Sequence, residues 1–221
     1  MKFFIRLLTL FLCASLALAG PGDKKGGKKK SGEKPAVEAA EEEAPAAAEM
    51  DPQARAMMDA YMKAGQPGLY HRFLAQFEGR WKAVSKAWMG PGEPLISEGE
   101  GVNRMIFGGR YLHQEYHGKF MDMDFEGMGL LAFDNVTKQF ATVWIDSMST
   151  CIATGTGTLD EQGKVLTTTL TFSDPLTGAA KTSREVLRVV DEHTHVMEMY
   201  ETGADGKETL TMEITYTRGK K

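Results

Sequence analysis

Gly79-Arg80-Trp81 marks the point at which the sequence changes from a helical to a β pattern. Ahead of it, Leu69, Phe73 and Phe77 recur every four residues, which is typical of one face of a helix. After it, short alternating segments follow one another as far as Arg218, without a further helical stretch. The change of period predicts a β domain over residues 79–221, preceded by a helical segment over residues 50–78.

Turn residues divide the β region into about ten segments at hairpin spacing. Gly108-Gly109, for example, is a two-residue hairpin signal between Asn103–Phe107 and Arg110–His117. No connection is long enough for a crossover helix, so antiparallel pairing is expected. A twisted sheet of this size tends to close on itself, because closure removes its edges. The sequence therefore predicts an all-β fold, an antiparallel up-and-down β-barrel of about ten strands, with an open sandwich as the alternative. The clearest strand face, near the end, carries Leu210, Met212, Ile214 and Tyr216.

Two short helices are predicted ahead of the barrel. Asp51 and Pro52 supply an N-cap and a first helical residue, and Gly65 with Pro67 ends that helix. A second helix fits residues 69–77. A helix at this place is expected to lie over or beside one end of the barrel and to cover its core, and a lid over a cavity is the alternative. The apolar stripe of the first helix consists of Met57, Met58, Tyr61 and Met62.

The N-terminal region has the pattern of an exported bacterial protein. Residues 1–19 combine a basic start, an apolar run and an Ala17-Leu18-Ala19 cleavage site, which is typical of a secretory signal peptide. Cys13 raises the alternative of an acylated lipoprotein, but bulky Leu12 stands where such sites carry small residues. Loss of Cys13 with the signal leaves Cys151 alone, which excludes an internal disulfide. We expect a periplasmic or extracellular location.

Residues 20–49 are predicted to form a disordered tether. They hold a Lys/Gly block and then an Ala/Glu/Pro stretch without aromatic residues, too little apolar surface to offset the entropy of ordering. The lysines between Lys24 and Lys34 could make a weak contact with the cell envelope, and a solvated linker is the plainer interpretation.

Composition and motifs exclude several classes of function. A formal net charge of −4, with no stripe of arginine and aromatic residues, argues against nucleic acid as a partner. We find no nucleophile elbow, P-loop or dinucleotide fingerprint. His113 and His117 would lie about 13 Å apart on a strand at about 3.3 Å per residue, too far to share a metal. The sequence thus predicts no catalytic residues, no metal and no cofactor.

The candidate ligand-binding residues are Tyr116, Trp144, Asp146 and Arg104. Trp144 and Asp146 share a face of the segment Phe140–Ser147, which places a carboxylate beside aromatic rings. If that face points inward, the acid needs a partner, because an unpaired buried charge is costly. Arg104 is one candidate partner and Arg184 another; Glu185 or Glu198 could instead form a carboxylate pair with Asp146. The alternative is that Asp146 caps the turn that follows its strand.

The sequence also resembles two known groups of proteins. Gly79-Arg80-Trp81 with Arg218 near the end resembles the lipocalin-like (calycin) signature, in which an arginine of the last strand stacks on the tryptophan of the first. That resemblance implies a structural closure by Trp81 and Arg218. From about His71 to Arg218 the chain is similar to domain-of-unknown-function family 1579, a bacterial family with a lipocalin-like barrel. The matching stretches include Gly108–Leu112, Phe125–Gly129, Trp144–Thr150 and Tyr216–Arg218.

These observations favour a binding module for a small apolar or amphipathic ligand, since the family implies a fold but no activity. The alternatives are an enzyme of hydrolase or isomerase type that uses Asp146 on a hydrophobic substrate, and a purely structural envelope domain. A haem binder is a further alternative, and it would require a histidine that faces the cavity.

Overall fold

The computed structural model describes residues 51–203 and 205–219. The expected signal peptide at 1–19 and the expected tether at 20–49, with its Lys24–Lys34 block, lie outside the described residues. Of the helices within the described part, none has the length and apolar character needed to cross a bilayer.

Two helices precede the strands, as predicted. Helix α1 spans Pro52–Ala64, and the Asp51 side chain caps it by accepting from the backbone N–H of Ala54. Helix α2 spans Leu69–Ala75. Helix α2 covers the core, as expected of a helix at this place, whereas α1 buries none of its residues. Helix α1 is hydrogen-bonded to the barrel domain at its C-terminal end, where the Asn135 side chain donates to the carbonyls of Ala64 and Gln66.

Ten antiparallel strands close into an up-and-down barrel, which confirms the predicted fold. Each strand pairs with its sequence neighbours, and β1 pairs with β10 to complete the ring. The strands are β1 Gly79–Ala87, β2 Leu95–Ile106, β3 Tyr111–Phe120, β4 Met123–Asp134, β5 Gln139–Asp146, β6 Ala153–Leu159, β7 Val165–Ser173, β8 Ala180–Asp191, β9 Thr194–Thr202 and β10 Glu208–Arg218.

Two local details differ from the sequence prediction. The turn between β2 and β3 takes four residues, Phe107–Arg110, rather than the two glycines, and Phe107 joins them at positive φ. A register shift in β10 pairs Leu210 with Tyr200 but Met212 with Met199. Because adjacent residues of β9 point to opposite faces, the shift removes Leu210 from the face that it was predicted to share with Met212.

Helix α2 fills one end of the barrel, which we call the closed end. Phe73, Leu74 and Phe77 pack there against Leu112 and Phe140, and all five are buried. The opposite end, which we call the mouth, is formed by the five loops that contain residues 88–94, 121–122, 147–152, 174–179 and, in the described part, 203 and 205–207. The helix therefore leaves the mouth as the end through which a molecule could reach the interior.

Arg218 fastens α2 to the barrel. Its guanidinium lies 4.2 Å above the ring of Trp81 and donates to the carbonyls of Gln76, Glu78 and Glu192 at 2.8, 2.8 and 3.1 Å. The planar group satisfies carbonyls at the end of α2 and in the β8–β9 turn while it covers the indole.

Candidate functional site

Strand register decides which side chains point into the barrel. Trp81 pairs with Arg218 and Gly101, and from this pair the alternation can be followed around all ten strands. We call the space between the closed-end cluster and the mouth the lumen. The inward-facing residues that line it include Tyr116, Phe125, Trp144, Thr168, Glu185, Met197, Met199, Met212 and Tyr216.

The lumen is not filled by side chains. Leu112, Phe140 and Leu166 at the closed end are at most 2% exposed. Glu185, Met197 and Met199 also point inward, yet each keeps accessible surface. Surface that faces the inside of a closed barrel and remains accessible must border free space. The interior is thus packed at the closed end and open towards the mouth.

Glycines in the wall allow two aromatic rings to lie flat against it. A Cβ added at Gly127 would overlap the ring of Trp144, with Cη2 at 2.7 Å, and one at Gly129 would lie 3.0 Å from the same ring. A Cβ at Gly99 would lie 2.5 Å from Tyr116 Oη. Because no side chain rises from these wall positions, the rings occupy the wall and leave the centre of the lumen free.

Asp146 holds Trp144 in this position. Trp144 Nε1 donates to Asp146 Oδ2 at 3.1 Å, and the backbone N–H of Met148 donates to Asp146 Oδ1 at 3.0 Å. The carboxylate therefore caps the turn after β5 and orients the indole at the same time. Both of its oxygens are occupied, an arrangement suited to positioning.

Glu185 is the carboxylate that remains available inside the barrel. It faces inward from the middle of β8, and Thr168 Oγ1 donates to its Oε2 at 3.0 Å. Burial raises the pKa of the Glu185 carboxyl, and the bond from Thr168 opposes that shift. The wall encloses the carboxyl group, while the residue as a whole keeps some accessible surface.

Two tyrosines add hydroxyl groups to the interior. Burial raises the pKa of Tyr116, and a hydrogen bond with Ser85 opposes the shift. Burial also raises the pKa of Tyr216, and the neighbouring Tyr116 and Glu185 reinforce that shift because a second negative charge would repel them. At neutral pH both are neutral phenols that can donate a hydrogen bond.

The structure brings together three of the four predicted ligand-binding residues. Tyr116, Trp144 and Asp146 all occupy inward positions. Arg104 is exposed on the outer face of β2, where it pairs with Glu115 at 3.3 Å and not with Asp146. Arg184 is also on the outer face, in an ion pair with Glu208. That Tyr116, Trp144 and Asp146 bind a ligand stays a prediction.

The sequence analysis did not predict that Glu185 faces the lumen, and considered it only as a second carboxylate for Asp146. Its alternation in phase with the apolar Leu187 and Val189 could have indicated an inward position. Val186 and Val190 make the other face of the same strand almost as apolar, so alternation alone could not choose between the two. Glu198, the other carboxylate considered, lies on the outer face and pairs with Arg188.

His195 is the histidine that points inward from a strand, but it lies at the closed end. Its ring stacks on Tyr216 at 4.6 Å and meets Trp81 and Phe77 edge to face. Burial, reinforced by the Arg218 cation, lowers its pKa to about 3, and its Nδ1 has no hydrogen-bond partner. Across residues 51–203 and 205–219, no three His, Cys, Asp or Glu side chains cluster as a metal site would require.

The mouth is rimmed by apolar side chains. Four of its five loops carry exposed ones, and Leu176 is 93% exposed. These residues are Met89, Met121, Met148, Ile152 and Leu176.

A separate cavity of about 610 Å³ lies over the outer surface of β1, β2 and β3, where Lys82, Glu98 and Glu100 border it. That outer cavity is open to solvent, where salt screens the interactions of its charged side chains.

Comparison with known proteins supports the architecture. The family model described as "Protein of unknown function (DUF1579)" matches residues 66–218. No curated protein matches the sequence. The crystal structure of Rv2717c from M. tuberculosis is similar at 13% identity and a TM-score of 0.54, covering 70% of this chain and 100% of that chain. The S-type phycobiliprotein lyase CPES from Guillardia theta is 12% identical with a TM-score of 0.49, covering 73% and 97%. At 13% identity, the first similarity concerns the fold alone.

Proposed function

The chain belongs to the DUF1579 family of proteins of unknown function, and from that premise we propose that its barrel binds a small apolar or amphipathic molecule in the lumen. The observation that carries the proposal is the accessible surface on Glu185, Met197 and Met199, inside a barrel whose other end is closed. Methionine side chains are flexible and polarizable, which suits them to apolar ligands of variable shape.

The mouth supports the same function. An apolar ligand that leaves water gains free energy from each contact with apolar surface, roughly 25 cal/mol per Å². The exposed Met121, Met148 and Leu176 offer such contacts ahead of the lumen. Trp144 and Phe125 continue the apolar surface inside. A ligand can therefore pass from the mouth into the lumen without crossing a fully polar zone.

A matched pair of tryptophan substitutions tests the proposal. Met199→Trp adds a large ring inside the lumen, whereas Met128→Trp adds the same ring to an outward position that is already 40% exposed. We expect the neutral dye Nile red to bind the unmodified protein with increased fluorescence. Met199→Trp should weaken that binding at least about tenfold, and Met128→Trp should change it less than about twofold.

Three results bear on the function directly. Equal weakening by both variants, or no dye binding by the folded protein, would overturn the lumen as the site and favour a structural domain. Native mass spectrometry of the protein purified from its own host would reveal a co-purifying molecule, which the lumen should retain and Met199→Trp should lose.

The alternative of catalysis through Asp146 has less support, because both carboxylate oxygens already accept hydrogen bonds.

We also propose that the chain is exported, on the strength of the signal-like residues 1–19. Expression of the full sequence in a bacterial host should yield a periplasmic or secreted protein that begins at Gly20. Mass determination of the purified protein measures this, and an uncleaved cytoplasmic product would contradict it.

A further inference from the structure

Three carboxylates occupy inward positions on the described strands, and two of them are already satisfied. Asp146 accepts from Trp144 and from the backbone of Met148. Glu201 is paired with Lys181 at 2.6 Å. Glu185 receives one hydrogen bond, from Thr168, and no described cation pairs with it. It is thus the one inward acid on the described strands that lacks a counter-charge.

The surroundings of Glu185 supply no such charge from any strand that faces it. The two inward cations elsewhere in the described barrel are committed, Lys181 to Glu201 and Arg218 to backbone carbonyls at the closed end. The groups that face Glu185 or share its face are Thr168 on β7, Lys181 on β8, Met199 and Glu201 on β9, Tyr216 on β10, Tyr116 on β3 and Asp146 on β5.

We propose, resting on the function proposed above, that the lumen selects amphiphiles with a protonated amine head group and that Glu185 binds this head group. An ammonium donates charge-assisted hydrogen bonds and neutralises an enclosed carboxylate, both of which are worth more away from water. The apolar tail would contact Met197, Met199 and Met212 and extend towards the mouth.

The same charges disfavour other head groups. A fatty acid would bring a second negative charge beside Glu185, and enclosed like charges repel strongly. A fatty alcohol can donate one hydrogen bond to Glu185 but brings no charge. The predicted order of affinity is therefore amine, then alcohol, then carboxylate, for tails of equal length.

Three twelve-carbon probes test this order: dodecylamine, dodecanol and dodecanoate, each kept below its aggregation concentration at pH 7. Displacement of Nile red from the full-length protein measures their affinities. We expect the amine to bind about 10-fold to 100-fold tighter than the alcohol, which is what a hydrogen bond to a charged group typically contributes. Dodecanoate should bind most weakly of the three.

Glu185→Gln should remove the preference for the amine and leave the affinity for the alcohol within about threefold. The same substitution at Glu213, which lies on the outer face of β10 in an ion pair with Lys86, serves as the control and should change nothing. The head-group order in the unmodified protein is itself a test that needs no variant to fold.

The outcomes separate the two proposals. Equal binding of the three probes, or a preference for the amine that survives Glu185→Gln, would overturn the selection by Glu185 while ligand binding stands. Tightest binding of dodecanoate would also overturn it. Failure of Nile red and all three probes to bind would overturn both.

Discussion

Gly127→Ala is predicted to dislodge the indole of Trp144 from the wall of the lumen. The added methyl group would occupy space now held by the ring, whose Cη2 and Cε2 atoms lie 2.7 and 3.0 Å from the ideal Cβ position. Real Cβ atoms do not approach other atoms so closely, so the ring must move. The strand backbone cannot yield instead, because Gly127 pairs with both Tyr116 and Asp146.

The predicted cost follows from what the ring loses. Inserting a methyl group into a packed site typically costs about 1–3 kcal/mol. Trp144 would also lose its hydrogen bond to the Asp146 carboxylate, a contribution of about 1.5–3 kcal/mol for charged partners that is reduced here by partial exposure. We expect a fall of about 2–4 kcal/mol in the free energy of unfolding, and a ring displaced into the lumen.

Gly101→Ala is the matched control. Gly101 is likewise an inward-facing strand glycine, but a Cβ there would meet nothing closer than 3.6 Å. Alanine is favoured over glycine inside a strand by about 0.5–1 kcal/mol, so this variant should be neutral or slightly stabilised. The two variants differ only in what the new methyl group meets.

Urea unfolding measures the stabilities, and the indole N–H resonances of the three tryptophans report the ring position. Trp144→Phe identifies the Trp144 resonance, which should shift in Gly127→Ala and stay in place in Gly101→Ala. If Gly127→Ala unfolds like the unmodified protein and leaves that resonance unchanged, the ring does not lie on Gly127. In that case the argument for a lumen walled by glycine and indole fails.

Three further predictions concern charged and titratable groups. His195→Phe should stabilise the protein increasingly as pH falls from 6.5 towards 3, by up to about 1.4 kcal/mol per pH unit. The reason is that His195 binds a proton in the unfolded chain over this range but stays neutral in the folded protein, where its pKa is lowered to about 3. Urea unfolding across pH tests this, and a difference in unfolding free energy between the two proteins that does not change with pH would contradict it. Glu185→Gln should show the opposite trend, since the raised pKa of Glu185 means that the folded protein holds this proton to a higher pH than the unfolded chain, which releases it above pH 4.5. The variant should gain in melting temperature relative to the unmodified protein as pH rises from 4.5 through that raised pKa, and a constant gap would refute the buried acid. Arg218→Lys should lower the free energy of unfolding by about 2 kcal/mol, because lysine lacks the planar guanidinium that donates to three carbonyls. Arg188→Lys, on the outer face, is the control and should lower it by less than about 0.5 kcal/mol. Equal losses in the two variants would show that the three hydrogen bonds of Arg218 contribute no extra stability.

The architecture could be predicted because its signals are local. Alternation and turns define each strand, and the helix caps at Asp51 and Gly65 define the first helix. Because the connections are short, each strand pairs antiparallel with its neighbour in the sequence, and a sheet of ten strands favours closure into a barrel. The stack of Arg218 on Trp81 was implied by the resemblance to the calycin signature, and the two side chains lie in that arrangement.

Side-chain direction was less predictable where both faces of a strand have similar polarity. Arg104 shares its phase with Val102 and Ile106, and that apolar phase turned out to be the outer one. A single register shift moved Leu210 off the face of Met212. Neither feature leaves a mark that period-two alternation can detect.

The sequence by itself determined that the strands from Gly79 to Arg218 form an antiparallel barrel and that helical residues precede them, because local periodicity and turn chemistry are sufficient for both. Only the tertiary structure decided that α2 fills one end and α1 stays outside, that glycines on β4 hold the indole of Trp144, and that Glu185 remains without a counter-charge. Each of these depends on which residues of distant strands meet across the barrel. That pairing is set by strand register and closure, which act over the whole ring and leave no local pattern in the chain.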